Sequence, residues 1–435
     1  MRFRFKASNY KLPMIIQYGR QTGLFSRSHR GTNMKHLPCG FKAIVFCTVV
    51  SLYFLVLLAK DDLSRYFQVD APNPPPTVID PGPTTSSVSD SNGTLVPSPS
   101  WTKQRMYKCT PNHSVGSLKG FSGLPAHIQD FLLYRHCRRF RPLLDVPKKC
   151  GRTPEDSAAV FLLLVIKTLP WNYNQREVLR RTWAAERVEN GASIRRVFLA
   201  GTVGAPGDEA RRHTDELLAT ENRRYGDILQ WDFHDSFFNL TLKQLLFLEW
   251  MRERCPQARY ILNGDEDVFA NTDNIIRYLQ AEDSPRHGGE KHLYVGQVLQ
   301  DTKPVRWTKS KYYIPPQVYE ADVFPPYCTG GGFLISGYSA QVIYNMSFVV
   351  PVIPIDDAYL GMCLEKAGLK PRHHVGVLAV GEKVVPKRIY TMDPCLYQDL
   401  IVAHGFKPHE ILVMWDRIHN RELKCTISSL SSFRK

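Results

Sequence analysis

Hydrophobic positions beyond residue 158 form short apolar runs separated by amphipathic segments, and this pattern predicts strands that alternate with helices. The run AVFLLLVIKT, Ala159 to Thr168, is continuously apolar over the length of a strand, as expected where both faces of a sheet are covered. The segment NQREVLRRTWAAERV predicts a helix after it. Further strands are predicted over RRVFLAGT, DILQWDF and ARYILNGDEDVF, with helices over Asp208 to Tyr225 and NLTLKQLLFLEWMRERC between them. This order predicts a parallel, helix-flanked α/β sheet.

The alternation continues toward the C-terminal part of the chain. The segments HLYVGQV, KYYIP and TGGGFLIS come next, followed by helices predicted from Ser339 and over IPIDDAYLGMCLEKAGL. Ahead of the sheet, IQDFLLYRHCRRF predicts a short helix. Ligands of open α/β sheets bind beyond the carboxyl ends of the strands. Asp265, Glu266 and Asp267 follow the strand in NGDEDVF, so a functional site is expected there.

A second hydrophobic pattern lies near the N-terminus. AIVFCTVVSLYFLVLLA, residues 43–59, has no charge over 17 residues and would span about 26 Å as a helix. Residues 1–42 carry nine Lys and Arg but no Asp or Glu, so the positive-inside rule places them in the cytoplasm. A long basic head without a cleavage site argues against a removable signal peptide. We predict a transmembrane signal-anchor, with a buried core helix as the alternative.

Composition completes the domain organisation. Residues 60–105 are rich in Pro, Ser and Thr and too poor in apolar residues to fold alone, which predicts a lumenal stem. Residues 106–435 form the predicted lumenal catalytic domain. The formal net charge is +15, but beyond residue 42 the chain holds 47 basic and 41 acidic residues. Without a concentrated basic stripe, a nucleic-acid partner is not expected.

Cysteines and sequons agree with a lumenal location. Eight cysteines lie beyond the anchor, an even number that favours disulfides in an oxidising compartment, although spacing leaves their pairing open. The sequence contains no CxxC pair that would indicate a zinc site. Glycosylation sequons lie on the same side, at Asn92, Asn112, Asn239 and Asn345.

The acidic cluster predicts a metal site. Three adjacent carboxylates repel one another, and a divalent cation removes that repulsion. Such a cation typically retains waters and bridges to the phosphates of a substrate. Asp265 to Asp267 therefore predict a metal–diphosphate site, with a solvated acidic turn as the alternative.

Six motifs in order resemble the β-1,3-glycosyltransferase family, and within it most closely the β-1,3-N-acetylglucosaminyltransferases. The resemblance covers residues 129–425 and rests on QREVLRRTW, GDILQWDFHDSFFNLTLK, NGDEDVFANTD, KYYIP, PPYCTGGGFLIS and PIDDAYLGMCLE. The family usually has Asp-Asp-Asp or Asp-Ser-Asp where this chain has Asp-Glu-Asp. Glu266 departs only at the variable middle position.

The resemblance implies a glycosyltransferase-A fold with a Rossmann-like mixed sheet, a UDP-sugar donor, Mn²⁺ and inversion at the anomeric carbon. It implies transfer of N-acetylglucosamine from UDP-GlcNAc to O3 of terminal galactose, in core 1 O-glycans or poly-N-acetyllactosamine. It also implies a single-pass type II protein of the Golgi membrane. The alternatives are a β-1,3-galactosyltransferase, an inactive membrane-tethered glycan-binding protein and, less favoured, a metal-dependent hydrolase of nucleotide sugars.

The resemblance also assigns roles near the acidic cluster. Asp267 is the main metal ligand, and Asp265 lies nearer the ribose and the metal-bound waters. His404, in LIVAHGF, completes the metal sphere, and a set of nitrogen and oxygen ligands suits Mn²⁺. The alternative for His404 is a structural core histidine. Glu266 is assigned to the donor and cofactor site.

A base is still needed, and PIDDAYLG offers Asp356 and Asp357 at the start of a helix. Helix capping is the alternative for either residue. By resemblance Asp357 is the base, and Asp356 caps the helix or contacts the sugar.

Other residues are candidates for contact with the two substrates. Arginine donors suit diphosphate and uracil recognition, although a solvated basic face is the commoner outcome. The predicted donor-binding residues are Arg176, Arg180, Lys167, Gly331 and Gly332. The glycines leave room for close backbone approach, although a bare turn is the alternative. The predicted acceptor-binding aromatics are Trp307, Tyr312 and Tyr313, with core packing as their alternative.

Overall fold

The computed structural model describes residues 109–283, 291–379 and 393–425. The predicted tail, anchor and stem, residues 1–105, lie outside these ranges, as does the sequon at Asn92. No helix within the described ranges is long and apolar enough to cross a membrane.

Helices and strands alternate through the described residues. The α-helices are α1 (Ala126–Tyr134), α2 (Tyr173–Arg181), α3 (Glu209–Tyr225), α4 (Leu240–Arg254), α5 (Thr272–Glu282), α6 (Gly337–Met346), α7 (Asp356–Lys366), α8 (Pro394–Gln398) and α9 (Pro408–Ile418). The strands are β1 (Pro142–Leu144), β2 (Leu162–Lys167), β3 (Arg187–Glu189), β4 (Ala192–Thr202), β5 (Ile228–His234), β6 (Tyr260–Asp265), β7 (Val268–Ala270), β8 (Tyr294–Leu299), β9 (Tyr327–Ser336), β10 (Arg372–His373), β11 (Val377–Leu378) and β12 (Val402–His404).

The main sheet is mixed. Its strand order is β1-β5-β4-β2-β6-β9-β8-β10, with β3 paired to β4. The central strands β5, β4, β2 and β6 are parallel, as the alternation predicted. Strand β9 runs antiparallel to both β6 and β8. The predicted mixed α/β sheet is therefore confirmed. In its parallel part β2 lies beside β6, so the carboxyl ends of these two strands are neighbours.

Strand β2 explains why its sequence is apolar throughout. Leu163 and Val165 pack in the hydrophobic core on one face, while Leu162, Leu164 and Ile166 pack in the core on the other. A strand covered on both faces needs apolar side chains at every position. Lys167 ends this run at the edge where the site was expected.

Two predicted segments differ from the structure. The helix predicted over NQREVLRRTWAAERV ends at Arg181, because the Trp183 ring is buried and its indole N–H donates to the Val268 carbonyl at 3.0 Å. The chain then forms the β3–β4 hairpin, whose Asn190-Gly191 turn has positive φ at both residues, as this hairpin turn requires. KYYIP forms a loop with one isolated bridge, Val305 to Tyr313, rather than a strand.

A small second sheet, β11-β12-β7, packs near the end of β9. A Cβ atom at Gly331 would lie 2.7 Å from the Ala379 carbonyl oxygen and 2.9 Å from His404 Cδ2. One at Gly332 would lie 2.7 Å from Val402 Cγ1. These glycines therefore let the small sheet approach β9, and this packing brings His404 to the acidic cluster.

Disulfides join six of the eight cysteines that were expected to pair. The bonds are Cys109–Cys137, Cys150–Cys255 and Cys395–Cys425. Cys328 and Cys363 are unpaired and buried, so the even count did not translate into complete pairing.

Candidate active site

Lys167 joins the two acidic motifs into one cluster. Strands β2 and β6 place it beside Asp265 in register, and its Nζ lies 3.0 Å from Asp265 Oδ1 and 2.7 Å from Asp356 Oδ2. The lysine side chain is only 4% exposed. Burial alone would lower the pKa of Lys167, but the charges of the two carboxylates outweigh it and raise that pKa. Lys167 is therefore a fixed cation between two segments almost 90 residues apart in sequence, a contact that the sequence did not reveal.

Asp265, Asp267 and His404 are arranged to hold a cation. One ligand atom from each lies within 4.8 Å of the others, and His404 Nε2 is 3.2 Å from Asp267 Oδ1. His404 Nδ1 is buried without a hydrogen-bond partner. The Asp267 carbonyl accepts from the amides of Gly405 and Phe406 at 3.0 and 2.7 Å, which fixes the turn against β12. This nitrogen and oxygen donor set fits a divalent cation such as Mn²⁺.

The electrostatics of these ligands reflect their surroundings. Burial raises the pKa of Asp265, with Asp356 adding to the rise and Lys167 opposing it. Burial also acts to raise the pKa of Asp267, but the hydrogen bond and charge of His404 outweigh it and leave that pKa below its usual value. The hydrogen bond to Asp267 raises the pKa of His404 in turn. Excess negative charge is therefore concentrated where a cation would lie.

Glu266 has a different task from its two neighbours. Its carboxylate accepts from the Thr168 hydroxyl, the Asn172 amide and the Leu169 backbone N–H. The side-chain amide of Gln175 donates to the Glu266 carbonyl at 2.5 Å. These bonds attach the β2–α2 loop to the acidic turn. Sequence reasoning missed Thr168, Asn172 and Gln175, although their position directly after a strand of the sheet was a usable signal.

Asp357 begins α7 beside the glycine run of β9. Its Oδ2 accepts from the Gly330 amide at 3.0 Å and its Oδ1 from the Ala358 amide at 2.8 Å. Burial, and then the negative charge of Asp356, raise the pKa of Asp357 to about 7. A carboxylate with a pKa near neutrality can take up and release a proton under physiological conditions. Asp356 is instead committed to Lys167.

Arg176 and Arg180 do not face the acidic cluster with free donors. Arg176 is 1% exposed and bonds the Glu221 carboxylate, the Thr168 hydroxyl and the carbonyls of Leu169 and Pro170. Arg180 is 7% exposed and pairs with Glu221 and Asp227. Both arginines were predicted to bind the donor, but they are buried and paired with carboxylates distant in sequence, and Arg180 Nη1 is buried without a hydrogen-bond partner. Arg176 still shapes the β2–α2 loop from its outer side.

The predicted acceptor aromatics divide into two groups. Trp307 and Tyr312 are 61% and 46% exposed, whereas Tyr313 is buried in the core at 8%. Tyr313 is thus corrected to a packing residue, since its ring has no open face for a sugar. The Tyr312 ring contacts Phe237 edge to face, with ring centroids 5.2 Å apart. Phe237 belongs to the motif GDILQWDFHDSFFNLTLK, but the sequence offered no reason to select this residue.

Tyr327 connects these aromatics with Asp357. Gly361 lies one helical turn after Asp357 and packs so closely on Tyr327 that a Cβ there would be 2.6 Å from the tyrosine Cβ. Burial, and then the charge of Asp357, raise the pKa of Tyr327, and Tyr312 adds a smaller rise. Tyr327 therefore packs against α7 and lies close enough to Asp357 and Tyr312 to respond to their charges.

The described sequons have different surroundings. Asn112 and Asn345 are exposed, and Asn112 caps a short 3₁₀ helix by accepting from the Ser114 amide. Asn239 is half-buried, and its side-chain amide donates to the His234 carbonyl at 2.8 Å.

Comparison with known proteins identifies the family and the relatives that this chain resembles. The galactosyltransferase family profile matches residues 174–375. Human N-acetyllactosaminide β-1,3-N-acetylglucosaminyltransferase 3 is 49% identical over 73% of this chain and 82% of its own length. Human acetylgalactosaminyl-O-glycosyl-glycoprotein β-1,3-N-acetylglucosaminyltransferase is 43% identical over 87% and 94%. Rat UDP-GlcNAc:βGal β-1,3-N-acetylglucosaminyltransferase 7 is 41% identical over 73% and 78%.

One solved structure, the apo form of mouse xyloside xylosyltransferase 1, matches 57% of this chain and 97% of its own at 13% identity. Its TM-score is 0.26, too low to support a conclusion about this chain.

Proposed function

This chain belongs to the galactosyltransferase family, and on that premise we propose that it transfers N-acetylglucosamine from UDP-GlcNAc to O3 of a terminal galactose, with inversion. The relatives described above are named for β-1,3-N-acetylglucosaminyl transfer, which supports the sugar and the linkage. Their names differ in the acceptor, so the preferred glycan is a matter for experiment.

One observation carries the proposal: Lys167 holds the acidic turn and the start of α7 in a single cluster. Its Nζ contacts Asp265 on one side and Asp356 on the other. A substrate group bound at Asp265 and another bound at Asp357 would therefore be neighbours. Transfer by direct displacement needs this neighbourhood, since a leaving diphosphate and an attacking hydroxyl must meet at one carbon.

Asp357 is the proposed base. Two backbone N–H groups, from Gly330 and Ala358, fix both of its oxygens. With a pKa near 7, its carboxylate can take the proton from the acceptor hydroxyl as the new bond forms. Asp356 is a positioning residue, because its bond to Lys167 holds the start of α7.

Asp265, Asp267 and His404 are the proposed ligands of Mn²⁺. When bound, the cation would share the negative charge that develops on the diphosphate leaving group. Lys167 lies beside Asp265 and adds a permanent positive charge on the same side.

The donor is proposed to bind against the β2–α2 loop. Glu266 fixes this loop from the inside through Thr168 and Asn172, and Arg176 fixes it from the outside through the Leu169 carbonyl. Glu266, Arg176 and Arg180 are therefore proposed to shape the donor site rather than to contact the sugar nucleotide. The Cβ positions of Gly331 and Gly332 face the small sheet, so these glycines are proposed to hold His404 near the acidic cluster rather than to contact the sugar nucleotide. Trp307 and Tyr312 are proposed to contact the acceptor.

The cellular setting remains the one that the sequence predicts. We propose a cytoplasmic tail, an anchor at residues 43–59, a stem to residue 105 and a lumenal catalytic domain in the Golgi membrane. Sealed microsomes test this topology. Added protease should remove the basic tail alone, and digestion of the glycosylated bulk from outside would contradict it.

The decisive test offers UDP-GlcNAc and UDP-galactose to the full-length protein purified in detergent, each with several galactose-ended acceptors and one ending in N-acetylgalactosamine. We expect N-acetylglucosamine transfer in strong preference to galactose, and a β-1,3 linkage in the product. Equal or better transfer from UDP-galactose would instead favour a galactosyltransferase.

A further inference from the structure

The segment between residues 302 and 319 carries four basic side chains, and Asp301, Glu320 and Asp322 flank it in the sequence. It contains Lys303, Arg306, Lys309 and Lys311 and no acidic residue. Among the described residues, none of these four side chains makes an ion pair. The three lysines are exposed. The exposed lysines of this segment therefore keep positive charges that no described carboxylate pairs directly.

The segment is held in one conformation by Arg306. Its guanidinium donates to the carbonyls of Ile314 and Tyr319 at 2.7 and 2.9 Å and to that of Ala321 at 3.0 Å. The Ile314 amide also donates to the Val305 carbonyl at 2.9 Å. A loop fixed in this way presents its exposed side chains from a constant position.

Lys311 is the basic residue of this segment whose ammonium group lies over two aromatic rings. Its Nζ lies 5.1 Å from the ring centre of Phe237 and 4.9 Å from that of Tyr312. Phe237 follows β5, so the ammonium group is held between two separate parts of the fold. Two aromatic faces restrict the position of a lysine that has no carboxylate partner. Tyr312 in turn is close enough to Tyr327, which packs against Gly361 of α7, to raise the pKa of Tyr327.

An acceptor that binds at the proposed active site approaches several carboxylates, including Asp265, Asp356 and Asp357. A negatively charged group on the acceptor would be repelled unless a positive charge lay at its point of contact. We propose that Lys311, together with Phe237 and Tyr312, forms an anion subsite for an acidic substituent of the acceptor glycan. This inference rests on the proposed glycosyl transfer and specifies its substrate class: galactose-ended glycans that carry a sulfate ester or a sugar carboxylate.

A sulfate ester and a sugar carboxylate are both anions that Lys311 could bind. Acceptors that carry one or the other distinguish between them. Three acceptors with the same galactose terminus are compared: one neutral, one sulfated and one carrying a carboxylate sugar on an adjacent branch. The full-length protein is assayed with each one at low and at high salt. We expect kcat/KM to favour at least one acidic acceptor by about two- to fivefold at low salt, the range of an exposed ion pair. Salt should reduce this preference.

Variants assign the preference to one side chain. Lys311→Ala should abolish the ratio of acidic to neutral acceptor, Lys311→Arg should retain it, and KM for UDP-GlcNAc should not change in either variant. Lys370→Ala removes another exposed lysine outside this segment and should leave the ratio unchanged. Calorimetric titration of the acceptors in the presence of UDP gives the same ratio as an affinity, which does not depend on turnover.

The outcomes separate this inference from the proposed function. A neutral acceptor used as well as both acidic ones, or a ratio that survives Lys311→Ala, would overturn the anion subsite and leave the transferase intact. Acidic preference in binding without transfer of N-acetylglucosamine to any acceptor would support the subsite and count against the proposed function. Loss of the ratio in Lys370→Ala as well would point to general surface charge and overturn the role of Lys311.

Discussion

Two clusters of charged residues flank the β2–α2 loop, and they treat charge in opposite ways. In the arginine cluster, Arg176, Arg180 and Arg196 bond Glu221 and Asp227 at distances between 2.6 and 2.9 Å. Every member is less than a tenth exposed. In the acidic cluster, Lys167 and His404 are the only basic side chains in ion pairs with its described acids, which include the Asp265–Asp267 turn and the Asp356–Asp357 pair.

The difference teaches how to recognise a functional cluster. Dense charge by itself does not mark a binding site, because buried ions must be paired to be tolerated. A cluster that keeps excess charge of one sign at a partly open position is destabilised until a ligand arrives. The arginine cluster therefore stabilises the fold, whereas the excess charge of the acidic cluster supports the proposal that it binds a cation and a substrate.

The largest expected effect comes from removing a cation ligand. Asp267→Asn should abolish turnover and weaken UDP binding in the presence of Mn²⁺, because a neutral amide is a poorer ligand than a carboxylate. Chelator should likewise abolish wild-type activity, and Mn²⁺ should restore it best among divalent ions. Steady-state assays and calorimetry measure both effects. Full activity in chelator would reduce the acidic cluster to a solvated turn.

Replacing the base should have the next largest effect. Asp357→Asn should lower kcat by on the order of 10²- to 10⁴-fold, the usual contribution of a general base. Asparagine can still accept from the Gly330 amide, so the variant should fold without loss of stability, and its UDP affinity should stay near the wild-type value.

The neighbouring position tests that assignment. Asp356→Asn weakens the bond to Lys167 but leaves the proposed base in place, so a smaller loss of kcat is expected. If Asp356→Asn showed the larger loss, the base would be the other member of the pair. If Asp357→Asn lost stability and kept kcat, the residue would be a helix cap.

A substitution in the arginine cluster should lower the stability of the fold. Arg180→Met leaves Asp227 and Glu221 buried with fewer partners, and breaking a buried ion pair in this way destabilises by about 3–5 kcal/mol. Chemical unfolding measures the loss. Arg181→Ala is the matched control, because Arg181 is the next residue on α2 and is exposed. Loss of UDP affinity in Arg180→Met without loss of stability would restore the donor-binding role predicted from the sequence.

Sequence analysis succeeded where the signal was local. The apolar run before Lys167 predicted a buried parallel strand, which the structure has, because this signal depends on neighbouring residues alone. The hydrophobic pattern also located α4 and α7. The Asn190-Gly191 turn of the β3–β4 hairpin was present in the sequence, but the predicted helix was extended through Ala184 and Ala185 toward it.

Sequence analysis failed where the partner lies far along the chain. Arg180 looks like a ligand-binding residue until Asp227, 47 residues away, is placed beside it. Glu266 was assigned to the donor and cofactor site, but the Thr168 hydroxyl and the Asn172 amide occupy its carboxylate. Tyr313 and Tyr312 are adjacent and identical, but tertiary packing buries one and exposes the other. Such differences are set by the fold as a whole, so a local pattern cannot contain them.

The smallest expected effect is a pH dependence that distinguishes the two clusters. Burial and the charge of Asp356 raise the pKa of Asp357 to about 7, and the base must be ionised to act. In the acid range kcat/KM for the acceptor should therefore fall about tenfold for each pH unit below 7. A profile that stays flat to pH 5 would exclude a base with this pKa.

Stability should show the opposite sign at the same residue. A carboxyl whose folded pKa is raised binds its proton more tightly in the native state, so its contribution to stability is complete below the unfolded pKa and is lost as pH rises through about 7. Asp227 in the arginine cluster has a lowered pKa despite its burial, because Arg180 and Arg196 outweigh that burial, and its contribution is lost as pH falls. Melting temperatures in chelator at pH 5 and pH 8 separate the two. Relative to wild type, Asp357→Asn should gain stability at pH 8 and not at pH 5, because it removes a carboxylate that is unfavourable only when ionised. An equal shift at both pH values would mean that Asp357 titrates in the folded protein as it does in the unfolded chain.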